Sequence, residues 1–180
     1  MDKVSFSKAL FLDRDGIINI DHGYVSKIED FEFSEGIFEL LKLFIQEGYS
    51  LFIVTNQSGI GRGYYTLEDF NILTTWMLDI LIKENITIES VEYCFHAPEE
   101  NCSCRKPNTG MVDAILSKYS VDLKNSWMIG DKQSDIDLAH NATIHHTISI
   151  GDKKINSSEL AFSSILECYH YLKENKDKIR

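Results

Sequence analysis

The chain has 180 residues, with 18 basic and 28 acidic side chains and a formal net charge of −10. This length is typical of one domain, and the negative charge disfavours binding to nucleic acid or to an anionic membrane. The sequence has neither a signal-peptide pattern nor an apolar window long enough to span a membrane. We therefore expect one soluble domain over residues 1–180, cytoplasmic and monomeric, without a nucleic-acid or membrane partner.

Short apolar runs and helical periodicities alternate along the chain. Runs that predict buried parallel strands lie at 9–12, 51–54, 91–95, 127–129 and 147–150. Helical spacing is found at Ile37, Leu40, Leu41 and Phe44, at Phe70, Leu73, Met77 and Leu81, at Val112, Ile115, Leu116 and Tyr119, at 135–140, and at Phe162, Ile165, Leu166 and Tyr169. Gly48 is expected to end the first helix, Thr66 to cap the second, and the charged tail after Leu172 to fray. The alternation predicts an α/β fold: a three-layer, Rossmann-like parallel sheet with helices on both faces.

Several chemically reactive side chains follow the predicted strands. Asp13 and Asp15 follow the first, Thr55 ends the second, Asp131 follows the fourth, and Lys106 lies in a loop. The segment 13–16 alone is equally compatible with a solvated acidic turn, but ligands of such sheets bind where these strand ends meet. Phosphoryl transfer needs a nucleophile, a divalent cation and fixed cationic donors. We predict Asp13 as the nucleophile and Asp15 as the general acid and base.

Four separated motifs resemble those of the haloacid dehalogenase superfamily. They are Asp13-x-Asp15-Gly16, the strand end at Thr55, Lys106, and Gly130-Asp131-x-x-x-Asp135. The resemblance implies Mg²⁺ held by the Asp13 carboxylate, the Asp15 main-chain carbonyl and Asp131, with Asp135 as a supporting acid. No insertion is large enough for a lid domain, so we expect a capless or minimally capped member.

Within that superfamily the stretches 19–25, 54–60, 104–107 and 130–132 are similar to those of heptose 1,7-bisphosphate phosphatases. This similarity implies hydrolysis of the C7 phosphate of a small phosphorylated sugar, in nucleotide-activated heptose and lipopolysaccharide biosynthesis. The substrate-binding residues that it implies are Asp21, His22, Gly23, Tyr24, Thr55, Asn56, Gln57, Ser58, Arg105, Lys106 and Lys132. Arg62 is a further candidate that could equally be a solvated loop charge.

Three thiols and one imidazole lie close together in the segment 94–104. The pattern Cys94-x-His96, five residues, Cys102-x-Cys104 predicts a closed tetrahedral zinc site, which is structural because no ligand position remains for water. Such a loop would fix the cations that follow it at 105 and 106. Cys168 is expected to be a buried apolar residue.

Two alternatives stay open at this stage. The short span from His96 to Cys102 resembles histidinol-phosphate phosphatases, which makes histidinol phosphate the second candidate substrate. A catalytically silent, zinc-containing phosphate-binding module is the candidate from another class. The clustered carboxylates argue against that module, because a protein without catalysis has no physical need for them.

Overall fold

The architecture was obtained as a computed structural model that describes residues 7–180. Six parallel strands form one sheet in the order β3-β2-β1-β4-β5-β6. The strands are β1 (Lys8–Leu12), β2 (Tyr49–Asn56), β3 (Ile88–Cys94), β4 (Trp127–Gly130), β5 (His146–Ile150) and β6 (Leu160–Phe162). The helices are α1 (Ile37–Gln46), α2 (Ser58–Gly61), α3 (Leu67–Lys83), α4 (Gly110–Leu116), α5 (Gln133–Asn141) and α6 (Ile165–Glu174). The predicted three-layer α/β class is confirmed.

Each face of the sheet is covered by its own set of helices. On one face, Leu10 and Leu12 of β1 pack with buried residues of α1, α3 and α6. On the other, Ala9 and Phe11 pack with buried residues of α4 and α5. Successive strand residues point to opposite faces, so a strand buried on both sides must be apolar throughout. This requirement explains the unbroken apolar run at the start of the chain.

The apolar positions predicted for α1 and α3 and the predicted cap of α3 are confirmed. All four apolar positions predicted for α1 and all four for α3 are buried. Thr66 caps α3, since its hydroxyl accepts from the Asp69 main-chain amide while the Asp69 carboxylate accepts from the Thr66 amide. Cys168 is fully buried among apolar residues of α6 and its neighbours, as expected.

The C-terminal region differs from the prediction. Phe162 lies in the short strand β6 rather than in the closing helix, which begins at Ile165. The tail does not simply fray, because Ile179 is fully buried in the core cluster that contains α1 and α6. The helix predicted from Val112 to Tyr119 ends at Leu116, so Tyr119 lies beyond it and packs against Phe52. Three-residue strands and single buried residues carry too little periodicity to be recognised.

The register of the central strands determines which residues meet at the functional edge. Leu12 of β1 pairs with Ile53 of β2 and with Ile129 of β4. The residues that follow all three therefore lie at the same edge. The connection from β1 to α1, residues 13–36, contains one turn of 3₁₀ helix, Ile28–Asp30, as expected for a minimal cap. Within residues 7–180, no helix has the length and apolarity needed to cross a membrane.

Candidate active site

Asp13 is the first residue after β1. Its main-chain amide donates to the Ile129 carbonyl at 3.1 Å, which extends the alignment with β4 by one residue. The residue is 4% exposed, and its Oδ1 accepts from the Arg14 main-chain amide at 2.7 Å. Burial raises the pKa of the Asp13 carboxyl to about 7, although the Lys106 ammonium 3.0 Å away lowers it. The carboxylate form of Asp13 at neutral pH therefore depends on nearby cations.

Lys106 is a buried cation shared by two carboxylates. Its Nζ lies 3.0 Å from Asp13 Oδ1 and 2.7 Å from Asp135 Oδ1, and it donates to the Val54 carbonyl at 2.9 Å. Burial alone would lower the pKa of Lys106, but the two carboxylates raise it, so the ammonium stays charged. Its main-chain amide donates to Asn56 Oδ1 at 3.0 Å, which joins the loop after β3 to the end of β2.

The Asp15 carboxylate accepts hydrogen bonds from three side chains, those of Arg14, Asn19 and Gln57. Its carboxylate oxygens lie 2.8 and 2.9 Å from Arg14 Nη2, and they also accept from Asn19 Nδ2 at 3.0 Å and Gln57 Nε2 at 2.9 Å. Gln57 is held in turn by Tyr65, whose hydroxyl donates to its Oε1 at 2.6 Å. Burial would raise the pKa of Asp15, but the Arg14 charge and these hydrogen bonds hold it below the usual value. Without a substrate, Asp15 is therefore a carboxylate.

Asp13, Asp131 and Asp135 form a compact group of carboxylates. One oxygen from each lies within 4.8 Å of the others, a spacing that suits shared binding of a cation. Asp135 Oδ2 accepts from the main-chain amides of Asp131 and Lys132 at 3.1 and 3.0 Å, which positions the start of α5. A Cβ atom at Gly16 would lie 2.3 Å from Asp131 Oδ2, so only glycine leaves room for this carboxylate.

A cavity of about 380 Å³ adjoins these carboxylates. It is lined by Asp13, Asp15, Asp21, Gly23, Tyr24, Asn56, Gln57, Ser58, Tyr65, Arg105, Lys106, Lys132 and Ser134. Eleven of these thirteen residues were predicted from the sequence; Tyr65 and Ser134 were not. The cavity therefore joins side chains from the ends of β1 and β2, the loop after β3 and the start of α5.

Three of the predicted substrate-binding residues lie outside the cavity lining. Thr55 is fully buried, and its hydroxyl accepts from Gln57 Nε2 at 2.9 Å. His22 faces Glu32, with 3.4 Å between the imidazole and the carboxylate, and it lines a neighbouring pocket. Arg62 points towards Glu99, 3.8 Å away. These contacts define where the three side chains lie before any ligand is bound.

Cations lie beside the carboxylates of the cavity. The Lys132 ammonium lies 3.4 Å from both Asp21 and Asp131. Burial would lower its pKa, but the surrounding carboxylates, with Asp13 first among them, raise it. Arg105 Nη1 is buried, and none of the described residues accepts a hydrogen bond from it. A buried guanidinium nitrogen without an acceptor is suited to an anionic ligand.

The predicted zinc ligands meet in space. Cys94 Sγ lies 3.5 Å from Cys102 Sγ, Cys102 lies 3.4 Å from Cys104, and His96 Nδ1 lies 3.2 Å from Cys104 Sγ. All four donor atoms fall within 4.8 Å of one another. Tetrahedral Zn–S bonds of roughly 2.3 Å require donor separations of about 3.8 Å, so the four donors fit a zinc ion after a small expansion.

The loop that carries these donors is attached to the active-site edge. The Gln57 main-chain amide donates to the Cys94 carbonyl at 2.7 Å, and the Gly61 amide donates to the Phe95 carbonyl at 2.9 Å. A Cβ atom at Gly61 would lie 2.7 Å from that carbonyl oxygen, so the approach requires glycine. The order of this loop is thus coupled to the segment 57–61, which borders the cavity.

Comparison with known proteins adds family membership to this geometry. A HAD-hydrolase-like family model matches residues 103–154. D-glycero-beta-D-manno-heptose-1,7-bisphosphate 7-phosphatase of Helicobacter pylori (strain J99) is 46% identical over 98% of this chain and 99% of its own length. The chain belongs to the heptose-1,7-bisphosphate 7-phosphatase family. D-glycero-alpha-D-manno-heptose-1,7-bisphosphate 7-phosphatase of Campylobacter jejuni is also 46% identical, over 93% of this chain and 97% of its own.

A solved structure supports the fold of this heptose-bisphosphatase family member. D,D-heptose 1,7-bisphosphate phosphatase from B. bronchiseptica, complexed with magnesium and phosphate, superposes with a TM-score of 0.80 at 23% identity. The match covers 93% of this chain and 99% of that one. The haloacid dehalogenase-like fold predicted from the four motifs is confirmed.

Sequence reasoning overlooked residues that support the site rather than face it. Arg14 lies inside the first motif, where a charged side chain beside a buried strand was the available signal. Asn19 and Tyr65 are recognisable only through their contacts, because neither belongs to a spacing pattern. Ser134 lines the cavity through its place at the start of α5. Such supporting side chains come from loops whose path the sequence does not reveal.

Proposed function

We propose that this protein is a magnesium-dependent phosphatase that removes the C7 phosphate of D-glycero-D-manno-heptose 1,7-bisphosphate through an aspartyl-phosphate at Asp13. The observation that carries the proposal is the convergence of Asp13, Asp15 and Lys106 on one cavity. Family membership at 46% identity over nearly the whole chain supports the heptose bisphosphate as substrate.

The first half of the reaction transfers the phosphoryl group to the protein. An oxygen of Asp13 attacks phosphorus, the bond from phosphorus to the sugar oxygen breaks, and that oxygen takes a proton from Asp15. Asp15 is a carboxylate in the free protein; the negative charge of the approaching substrate raises its proton affinity, and Asp15 takes up a proton from solvent water before the attack. Lys106 holds Asp13 in place, and its charge offsets that of the phosphoryl group.

The second half returns Asp13 to its starting form. A water attacks phosphorus of the acyl-phosphate and gives a proton to Asp15, and the bond from phosphorus to Asp13 breaks. Inorganic phosphate leaves, and Asp15 releases its proton to solvent, which restores the carboxylate. Three donor nitrogens, from Arg14, Asn19 and Gln57, hold the Asp15 carboxyl, so the same group can donate and then accept a proton without moving far.

The carboxylate group fits a magnesium ion. Asp13 and Asp131 would hold it together with the Asp15 main-chain carbonyl, while Asp135, already bonded to two amides and paired with Lys106, would support Asp131. The ion, when bound, neutralises phosphate oxygens and offsets the charge of the buried carboxylates. The three carboxylates lie beside only two ammonium groups, those of Lys106 and Lys132, and a divalent cation would offset the remaining negative charge.

Cys94, His96, Cys102 and Cys104 would hold a structural zinc ion. The donor set is complete without water, and its loop leads directly into Arg105 and Lys106. Zinc would therefore order the two cations that meet the substrate. Arg105 and Lys132 are the proposed contacts for the phosphates of the sugar.

The test is phosphate release from a panel of purified substrates. It comprises both C1 anomers of heptose 1,7-bisphosphate, fructose 1,6-bisphosphate and histidinol phosphate, each with and without Mg²⁺. Both anomers are needed because the H. pylori and C. jejuni relatives are named for opposite ones. We expect the heptose bisphosphate to react fastest, and Asp13→Asn to abolish turnover. A preference for histidinol phosphate would reassign the substrate, and no release from any compound would support a silent binding module.

A further inference from the structure

Arg14 carries a buried charge but does not line the active-site cavity. It is 1% exposed, and its guanidinium carbon lies 5.9 Å from the centre of the Phe70 ring. Nη2 lies 2.8 and 2.9 Å from the two Asp15 oxygens and 2.6 Å from the Val25 carbonyl. Burying a guanidinium is costly, so its contacts must provide compensation.

Those contacts are concentrated on one nitrogen. Nε and Nη1 of Arg14 are buried, and neither has a hydrogen-bond partner among residues 7–180. A guanidinium that served only to stabilise the fold would be expected to use more of its five donors. Arg14 instead directs Nη2 to Asp15 and to Val25, the residue that follows the segment 21–24 beside the cavity. The arrangement links the position of Asp15 to that of the loop.

A second chain of contacts reaches Asp15 from Tyr65. The Tyr65 hydroxyl donates to Gln57 Oε1, which orients the amide so that Nε2 faces Asp15 Oδ2. The Tyr65 ring is itself confined, because a Cβ atom at Gly59 would lie 2.1 Å from its Cε1 atom. If the amide of Gln57 turned over, its oxygen would face the Asp15 carboxylate and repel it.

We propose that Arg14 and Tyr65 are positioning residues for Asp15, Arg14 directly and Tyr65 through the Gln57 amide. The inference rests on the proposed function, in which Asp15 protonates the leaving oxygen. Displacement of the Asp15 carboxyl by a fraction of an ångström weakens proton transfer, which requires hydrogen-bond distance to the leaving oxygen. Binding of the phosphate group itself depends on other side chains.

The identity of the leaving group separates this role from a general structural one. An alkoxide leaving from a sugar phosphate needs a proton from Asp15, whereas p-nitrophenolate leaves from p-nitrophenyl phosphate without one. The parameter kcat/KM covers the steps up to departure of the leaving group. Loss of Asp15 positioning therefore lowers kcat/KM for the sugar bisphosphate and affects the aryl phosphate little.

The experiment measures kcat/KM for heptose 1,7-bisphosphate and p-nitrophenyl phosphate with wild type, Arg14→Lys and Tyr65→Phe. General acid catalysis contributes about 10²–10⁴-fold, so we expect each variant to lose at least about tenfold more activity with the sugar bisphosphate than with the aryl phosphate. Tyr64→Phe is the matched control, because Tyr64 is 60% exposed and packs edge-on against Tyr24. For Tyr64→Phe, the ratio of kcat/KM with the sugar bisphosphate to kcat/KM with the aryl phosphate should equal that of wild type.

A double variant tests the route through Asp15. Once Asp15→Asn has removed the proton donor, adding Tyr65→Phe should change the sugar-phosphate rate little, since both changes act on the same group. The inference would be overturned if the single variants lost equal kcat/KM with the two substrates. It would also be overturned if the loss in the double variant equalled the product of the losses in Asp15→Asn and Tyr65→Phe. If Arg14→Lys does not fold, Tyr65→Phe decides, because it removes a single oxygen. A wild type inactive on both substrates would instead refute the proposed function.

Discussion

The contact between Gly16 and Asp131 leads to a prediction with an internal control. Gly16 has φ of +88°, and a Cβ atom there would lie 2.3 Å from Asp131 Oδ2 and 2.5 Å from its Cγ. Gly48 has nearly the same backbone, φ +86°, but a Cβ atom there would meet nothing within 4 Å. The variants Gly16→Ala and Gly48→Ala therefore share the backbone strain and differ in the clash.

The expected loss of stability has two parts, the backbone strain and the clash with Asp131. A left-handed alanine costs about 1–2 kcal/mol, which we expect for Gly48→Ala. Gly16→Ala adds an overpacking cost of about 1–3 kcal/mol unless Asp131 moves away. If Asp131 moves, it is displaced from the proposed magnesium site, and affinity for Mg²⁺ should fall by about tenfold or more.

Thermal unfolding with and without Mg²⁺ measures both effects. In the absence of metal, Gly48→Ala should lower Tm by roughly 2–8 °C, at about 2–4 °C per kcal/mol, and Gly16→Ala by at least as much. Added Mg²⁺ should raise the Tm of wild type and Gly48→Ala equally and that of Gly16→Ala less. If Gly16→Ala is as stable as Gly48→Ala without metal, which shows that Asp131 has moved away, and still responds equally to Mg²⁺, the assignment of Asp131 as a metal ligand is wrong.

Three further predictions address the buried charges and the zinc loop. Lys106→Met leaves Asp13 and Asp135 without their shared cation and should destabilise the protein by about 3–5 kcal/mol in chemical denaturation, because it breaks a buried ion pair. Cys104→Ser should release zinc, detected by elemental analysis, and lower activity while circular dichroism shows the sheet intact. In metal-free protein the pKa of Asp13 lies near 7, above its unfolded value of 3.8, so the folded state binds this proton more tightly. Stability of metal-free protein should therefore fall as pH rises from about 4 to about 7, and Mg²⁺ should remove that slope.

Controls for these predictions come from the same chain. Lys42→Met removes a half-exposed lysine paired with Glu84, so it should cost no more than about 1 kcal/mol. A loss equal to that of Lys106→Met would contradict the role assigned to the buried cation. Cys168→Ser alters a buried thiol outside the zinc group and should leave the zinc content unchanged. Asp13→Asn should show a flatter stability profile between pH 4 and 7 than wild type without metal.

Much of the candidate site could be predicted from the sequence because its residues follow the strands directly. An apolar run such as 9–12 identifies a buried strand, and parallel pairing then brings Asp13 to the same edge as the residues after Ile53 and Ile129. Cap residues act on the next few positions of the chain, so the sequence also predicted that Thr66 caps α3. The zinc donors were predictable because all four lie within eleven consecutive residues.

Contacts between distant segments required the tertiary structure. The pairing of Lys106 with Asp135, the bond from Gln57 to Asp15, and the burial of Ile179 depend on how loops and the tail pack, and no local periodicity encodes them. The sequence pattern predicts buried strands and their ends because these features depend on residues that are close together along the chain. The neighbours of Arg14 and Tyr65 are set by three-dimensional packing, and these contacts determine how Asp15 is held.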